Sequence, residues 1–113
     1  METNIGMNKV EKINNKQDFD NIIKNSSSPV FVKFTASWCG PCRMMIPVIE
    51  KVASELTNVK FVEIDVDDSD GLSDEYFISS VPTMMIFKDG SKVDEISGAL
   101  PYDQLKSFIE QYL

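Results

Sequence analysis

The stretch "WCGPC" places cysteines at positions 39 and 42, and the 113-residue chain has no others. Two thiols at that spacing can close a disulfide, help ligate a metal, or fill space as small apolar groups. A structural zinc takes four Cys or His ligands, and this chain has no histidine. Buried free thiols are common in protein cores. The surroundings of this pair favour redox chemistry instead. "VFVKF" (30–34) reads as a buried strand, and from Arg43 to Leu56 the apolar residues recur at three and four, as on one face of a helix. Cys39 therefore falls where a strand ends and a helix begins, with Cys42 in that helix's first turn. Cβ atoms so placed lie roughly 5–6 Å apart, within reach of a disulfide after a small rotamer adjustment. Cys39 also meets unpaired backbone N–H groups and the positive end of the helix dipole, both of which favour thiolate over thiol. In such settings a thiol pKa falls from about 8.5 toward about 7, near the optimum for attack on a disulfide. Gly40 leaves room for a partner's backbone, and Pro41 has no N–H to leave unpaired.

The elements that must hold the pair follow from periodicity and turn residues. "KVEKIN" (9–14) suits a short edge strand. Asn15 with Asp18 has capping spacing, and Phe19, Ile22 and Ile23 give the next helix one apolar face. "NSSSP" (25–29) is turn chemistry. The strand at 30–34 is apolar on both faces except at Lys33, as in a central parallel strand. Pro47 interrupts the following helix and should kink it. "VKFVEIDV" (59–66) is a further strand, and "DDSDGLSDEYF" a loop leading into a short helix. Residues 83–97 read as a hairpin about Asp89-Gly90. Pro101 can open a last helix striped by Leu105, Phe108, Ile109 and Tyr112. The order βαβαβαββα implies one parallel crossover, one antiparallel hairpin and a mixed sheet with helices on both faces. The expected organisation is one domain over residues 9–113 behind a loose polar tail, residues 1–8.

Composition narrows the function. The hydrophobic fraction, 42%, is ordinary for a globular domain. Net charge is −7, from 18 acidic against 11 basic residues, with no Lys/Arg cluster to bind phosphate backbones. Nucleic acid is therefore not an expected partner. No apolar run approaches the roughly 18 residues that cross a bilayer, so neither is a membrane. "METNIGMNKVEKINNKQ" lacks the apolar segment of a signal peptide, and a cytoplasmic chain is the expectation.

Four stretches in order carry a family resemblance: "ASWCGPCRMMIPVIEKVASEL", "SVPT" (80–83), "KDG" and "SGAL". From about Val10 to Leu113 the chain resembles thioredoxin. The resemblance implies a thioredoxin fold, a central five-stranded mixed β-sheet flanked by four α-helices. It implies a protein disulfide reductase in which Cys39 attacks a client disulfide and Cys42 resolves the mixed disulfide. Pro82 would be a cis-proline facing the sulfurs, with the Val81 backbone pairing to the client like an added strand. Trp38, Gly40, Pro41, Gly98 and Ala99 would line the remaining groove. No bound cofactor is implied beyond the redox-active disulfide, with electrons from NADPH through thioredoxin reductase. Implied clients are ribonucleotide reductase, peroxiredoxins and methionine sulfoxide reductase, met by a monomer. Oxidising relatives usually carry His between the cysteines, whereas Gly-Pro is the reducing pattern. A thiol oxidase or disulfide isomerase is thus the weaker reading, as is an interaction module, which would need neither sulfur.

Lys33 departs from the family, whose members usually carry a buried Asp there, behind the resolving cysteine. In many of them a Lys on the neighbouring strand sits against that Asp, at the position held here by Glu63. The two charges are exchanged. The expectation is a partly buried Lys33–Glu63 ion pair with Glu63 or a water relaying the Cys42 proton, because an unpaired buried Lys is costly. The competing expectation is that Lys33 extends its amine to solvent at the strand end while Glu63 is merely hydrated.

Overall fold

A computed structural model describes residues 9–113. The tail expected at residues 1–8 lies outside the described residues. The elements run β1 (Val10–Lys12), α1 (Lys16–Asn25), β2 (Val30–Thr35), α2 (Gly40–Glu55), β3 (Lys60–Asp65), α3 (Leu72–Glu75), β4 (Thr83–Lys88), β5 (Ser91–Ser97) and α4 (Tyr102–Glu110). The strands form one five-stranded sheet in the order β1-β3-β2-β4-β5. β2 is central, parallel to β3 and antiparallel to β4, which is why all six of its residues are buried.

Alternation along the strands sorts the core onto two faces. Phe31, Phe61, Met84 and Ile86 point to the side covered by α2 and α4, where they meet Met45, Ile49, Val52, Leu105 and Ile109. Val30, Val32, Phe34, Val62, Ile64, Met85 and Phe87 point to the other side, under Phe19 and Ile23 of α1 and Leu72 of α3. The period of two puts Lys33 on the α2 side with Phe31, and Glu63 there with Phe61. Lys33 and Glu63 are register partners across β2 and β3.

Local chemistry fixes the element ends. The Asn15 side chain accepts the Asp18 backbone N–H at 2.8 Å, capping α1 as its spacing predicts. Asn15→Ala is expected to cost about 1 kcal/mol of unfolding free energy, measurable by urea denaturation. The β4–β5 turn has φ of 52° at Asp89 and 83° at Gly90. Positive φ at both central residues is the hairpin turn whose twist matches the strands, and glycine takes it without a Cβ penalty. One extra residue, Val93, bulges β5 where the register passes from Ile86↔Asp94 to Phe87↔Lys92.

Candidate active site

Cys39 is the N-cap of α2, in extended backbone at φ −94° and ψ 110°. Its Sγ accepts the Cys42 N–H at 3.1 Å, one of the donors that a helix start leaves without a partner. The two cysteines are joined as a disulfide with Cα atoms 5.3 Å apart. Ala36 packs with both cysteines, and Val66 and Val81 lie against the three. Cys42 is 1% exposed and Cys39 5% exposed. Outside reagents thus meet Cys39 before Cys42.

Two braces hold the loop that carries Cys39. The Cys39 N–H donates to the Ala36 carbonyl at 3.2 Å, and Arg43 reaches back from α2 to donate to the Ser37 carbonyl at 2.7 Å. Trp38 is 67% exposed, yet its indole N–H donates to Asp67 at 2.9 Å. That bond sets the ring at the edge of a cleft of about 280 Å³, shared with Val66, Ser73 and the 78–81 segment.

The opposite wall comes from the start of β4. The Val81–Pro82 peptide is cis, and the Val81 carbonyl oxygen lies 3.7 Å from Cys39 Sγ. A disulfide sulfur has no proton to donate, so this is a contact in the oxidised pair. Reduction supplies the S–H. The Thr83 hydroxyl donates to the Ser80 carbonyl at 2.7 Å and meets the Ser97 hydroxyl at 3.1 Å. The Gly98 N–H donates to the Pro82 carbonyl at 2.8 Å, with Gly98 itself at φ +93°. Pro82 is thereby tied to the end of β5, and exposed Ala99 follows. Gly40 is half-buried and Pro41 exposed on the first turn of α2. Trp38, Val81 and Pro82 thus come together around Cys39, while Gly98 reaches the site through its bond to Pro82.

Asp67, Arg43 and Thr83 belong to this frame without having stood out in sequence. Asp67 sits in a run of acids, with nothing local to mark it. Thr83 ends the "SVPT" stretch, a signal that could have been used.

Behind the disulfide, Lys33 is 2% exposed and stays in the interior, so its amine does not extend to solvent. Its ammonium donates to the Cys42 carbonyl at 3.0 Å, whereas its distance to the nearer Glu63 carboxylate oxygen is 4.0 Å. The closest acceptor is therefore the backbone of the cysteine itself, with Glu63 at the outer limit of an ion pair. Burial lowers the Lys33 pKa from its ordinary value, and the Glu63 charge raises it part of the way back. A cleft of about 470 Å³ opens from this pair to solvent, with Lys12, Ile46 and Glu50 among its walls. Among the described residues no cluster of three or more His, Cys, Asp or Glu could hold a metal ion, and no helix is long and apolar enough to cross a membrane.

A disulfide capping a helix, with the Val81 carbonyl of a cis Val81–Pro82 peptide against its outer sulfur, defines a dithiol–disulfide exchange protein. Comparison with known proteins carries this further. The sequence model of the thioredoxin family matches residues 9–111. The thioredoxin of Porphyra purpurea is 44% identical over 96 residues, covering 84% of this chain and 90% of that one. Oxidised mitochondrial thioredoxin 3 from Saccharomyces cerevisiae superposes with a TM-score of 0.85 at 33% identity, covering 94% of this chain and 98% of that one. A structure described as the thiol resolving mechanism of yeast mitochondrial 1-Cys peroxiredoxin via glutathione/thioredoxin systems contains a chain that matches with a TM-score of 0.83 at 33% identity, covering 90% of this chain and 94% of that one. The chain belongs to the thioredoxin family. It has the thioredoxin fold, and its activity is dithiol–disulfide exchange with client proteins as a disulfide reductase.

Proposed function

We propose that this protein is a monomeric cytoplasmic reductant, re-reduced by a thioredoxin reductase that draws electrons from NADPH. The Cys39 thiolate attacks one sulfur of a client disulfide, forming a mixed disulfide and releasing the other client sulfur as a thiolate. Cys42 then attacks Cys39 Sγ, the bond to the client breaks, and the second client sulfur leaves as a thiolate. Two electrons have passed to the client, and the Cys39–Cys42 disulfide is restored.

The observation that carries this reading is the disulfide at the N-terminus of α2, with Gly and Pro between its cysteines and Cys39 the outer sulfur. Trp38, Gly40, Pro41, Val81, Pro82, Gly98 and Ala99 form the surface on which a client lies, and Val81 offers its backbone to an extended segment. Peroxiredoxins, methionine sulfoxide reductases and ribonucleotide reductase present disulfides of the required kind, and the match to a chain from a peroxiredoxin–thioredoxin study supports the first of these. A reducing compartment suits a pair that must be kept as a dithiol to act.

Equilibration against a glutathione buffer tests the direction of electron flow. The expected reduction potential is about −270 mV. A value of about −180 mV or higher would replace the reductant with an oxidase or isomerase.

A further inference from the structure

Among the described residues Lys33 is the one buried charged side chain. An ammonium withdrawn from water needs an ionic partner and hydrogen-bond acceptors to offset lost hydration. In the oxidised protein Lys33 has a neutral carbonyl at 3.0 Å and a carboxylate at 4.0 Å, the latter 22% exposed. Two further charged groups face it across the rear cleft, Lys12 from β1 and Glu50 from α2. This cationic site is incompletely matched, and its nearest atom belongs to Cys42. The negative charge that would complete it is absent from the disulfide and forms at Cys42 during turnover.

We infer that Lys33 is the built-in counter-charge of the Cys42 thiolate, with Glu63 keeping it protonated. This rests on the reading of Cys42 as the resolving thiol. In the mixed disulfide, Cys42 S–H gives its proton to water. The thiolate left behind faces the Lys33 ammonium. Its electron pair then forms the bond to Cys39 Sγ, and the pair of the Cys39–client bond departs with the client sulfur. As the thiolate is consumed, Lys33 returns to the Cys42 carbonyl and Glu63. The client-facing cleft holds Trp38 and Val81 and the rear cleft holds Lys33 and Glu63, with no residue shared, so a client docked on the first does not cover the charged pair. Lowering of the Lys33 pKa by burial sets an upper limit to the effect, because the counter-charge is lost once pH rises past that value.

The test needs no client. In Cys39→Ser, Cys42 is the one thiol of the chain, and serine preserves the helix cap. Its titration is read by ultraviolet thiolate absorbance against pH. Adding Lys33→Met is expected to raise the Cys42 pKa by about one to three units, the usual effect of removing a close opposite charge. Adding Glu63→Gln instead, at a half-buried position on the cleft, is expected to lower it, because the ammonium then has no competing carboxylate. Lys33→Gln, which removes the charge and keeps a donor for the Cys42 carbonyl, decides the matter if the methionine variant does not fold. Curves that superimpose on that of Cys39→Ser overturn the proposal. Insulin reduction by the unmodified protein is measured alongside. Its failure overturns the reductase reading whatever the titration shows, and its success beside unmoved titrations overturns the role of Lys33 alone.

Discussion

Cys42→Ser is expected to stop turnover and leave the protein joined to its client. Cys39 keeps its place at the start of α2 and still attacks, but the adduct then meets a hydroxyl where the second sulfur stood. The chain has no third cysteine to substitute for it. Insulin reduction with a dithiol as electron source falls to background in a coupled turbidity assay. With pre-reduced Cys42→Ser and client mixed without added dithiol, intact-mass analysis finds one client chain per protein, released by excess dithiothreitol. Cys39→Ser loses turnover equally but gathers no adduct, because the remaining sulfur is 1% exposed beneath the helix turn. Equal adduct from both variants would reverse the assigned roles of the two sulfurs.

Lys33→Met should make the fold more stable. Replacing a whole buried ion pair by apolar side chains is often worth about 1–4 kcal/mol. Here only the Lys33 half is replaced, Glu63 is 22% exposed and can hydrate, and the gain is expected at the low end, about 1 kcal/mol. The sign with pH follows from linkage. The folded-state pKa of Lys33 lies below its ordinary value of 10.5, burial being the main cause and Glu63 a partial offset. Between the two values the unfolded chain binds more protons, so wild-type stability rises with pH in that window. The penalty is complete below the folded-state pKa and is relieved as pH climbs toward 10.5. The advantage of Lys33→Met is therefore greatest at neutral pH and shrinks in alkali. Urea denaturation at neutral and alkaline pH measures both. A variant less stable than wild type by the same amount at every pH would mean that the bond to the Cys42 carbonyl outweighs desolvation. A stability loss retained at the redox pair is what function placed above folding looks like.

Much of this arrangement is legible without coordinates, for definable reasons. β2 reveals itself by β-branched and aromatic residues on both faces, a pattern only a doubly covered strand produces. Asp89-Gly90 announces its turn because few residues tolerate positive φ twice running. The first turn of α2 is harder to see, since apolar periodicity starts at Met45 while the helix starts at Gly40. Only Cys39 and Pro41 mark the true beginning. The bond from Trp38 to Asp67 spans 29 residues, and the one from Thr83 to Ser97 joins the two arms of a hairpin. The first depends on how loops settle once the sheet is built, and the second on the register of β4 and β5 after the bulge, neither of which side-chain patterning encodes. Lys33 shows both limits. Its identity in a buried strand is visible at once, and its exchange with Glu63 predicts an ion pair. That its amine turns first to the Cys42 carbonyl depends on how closely α2 packs over β2.

The bulge at Val93 has a bearing on solubility. A protein that handles extended, partly unfolded clients is exposed to the hazard that its own sheet will template them. The two outer strands are poor templates. β1 has three residues, and β5 is broken by an unpaired position and lined by the Lys92–Glu95 ion pair at 2.6 Å. Short length, charge and a local twist are what keep a sheet margin from recruiting foreign strands into aggregates. Client polypeptide can then be received beside the sulfurs and let go, without polymerising along the sides of the molecule.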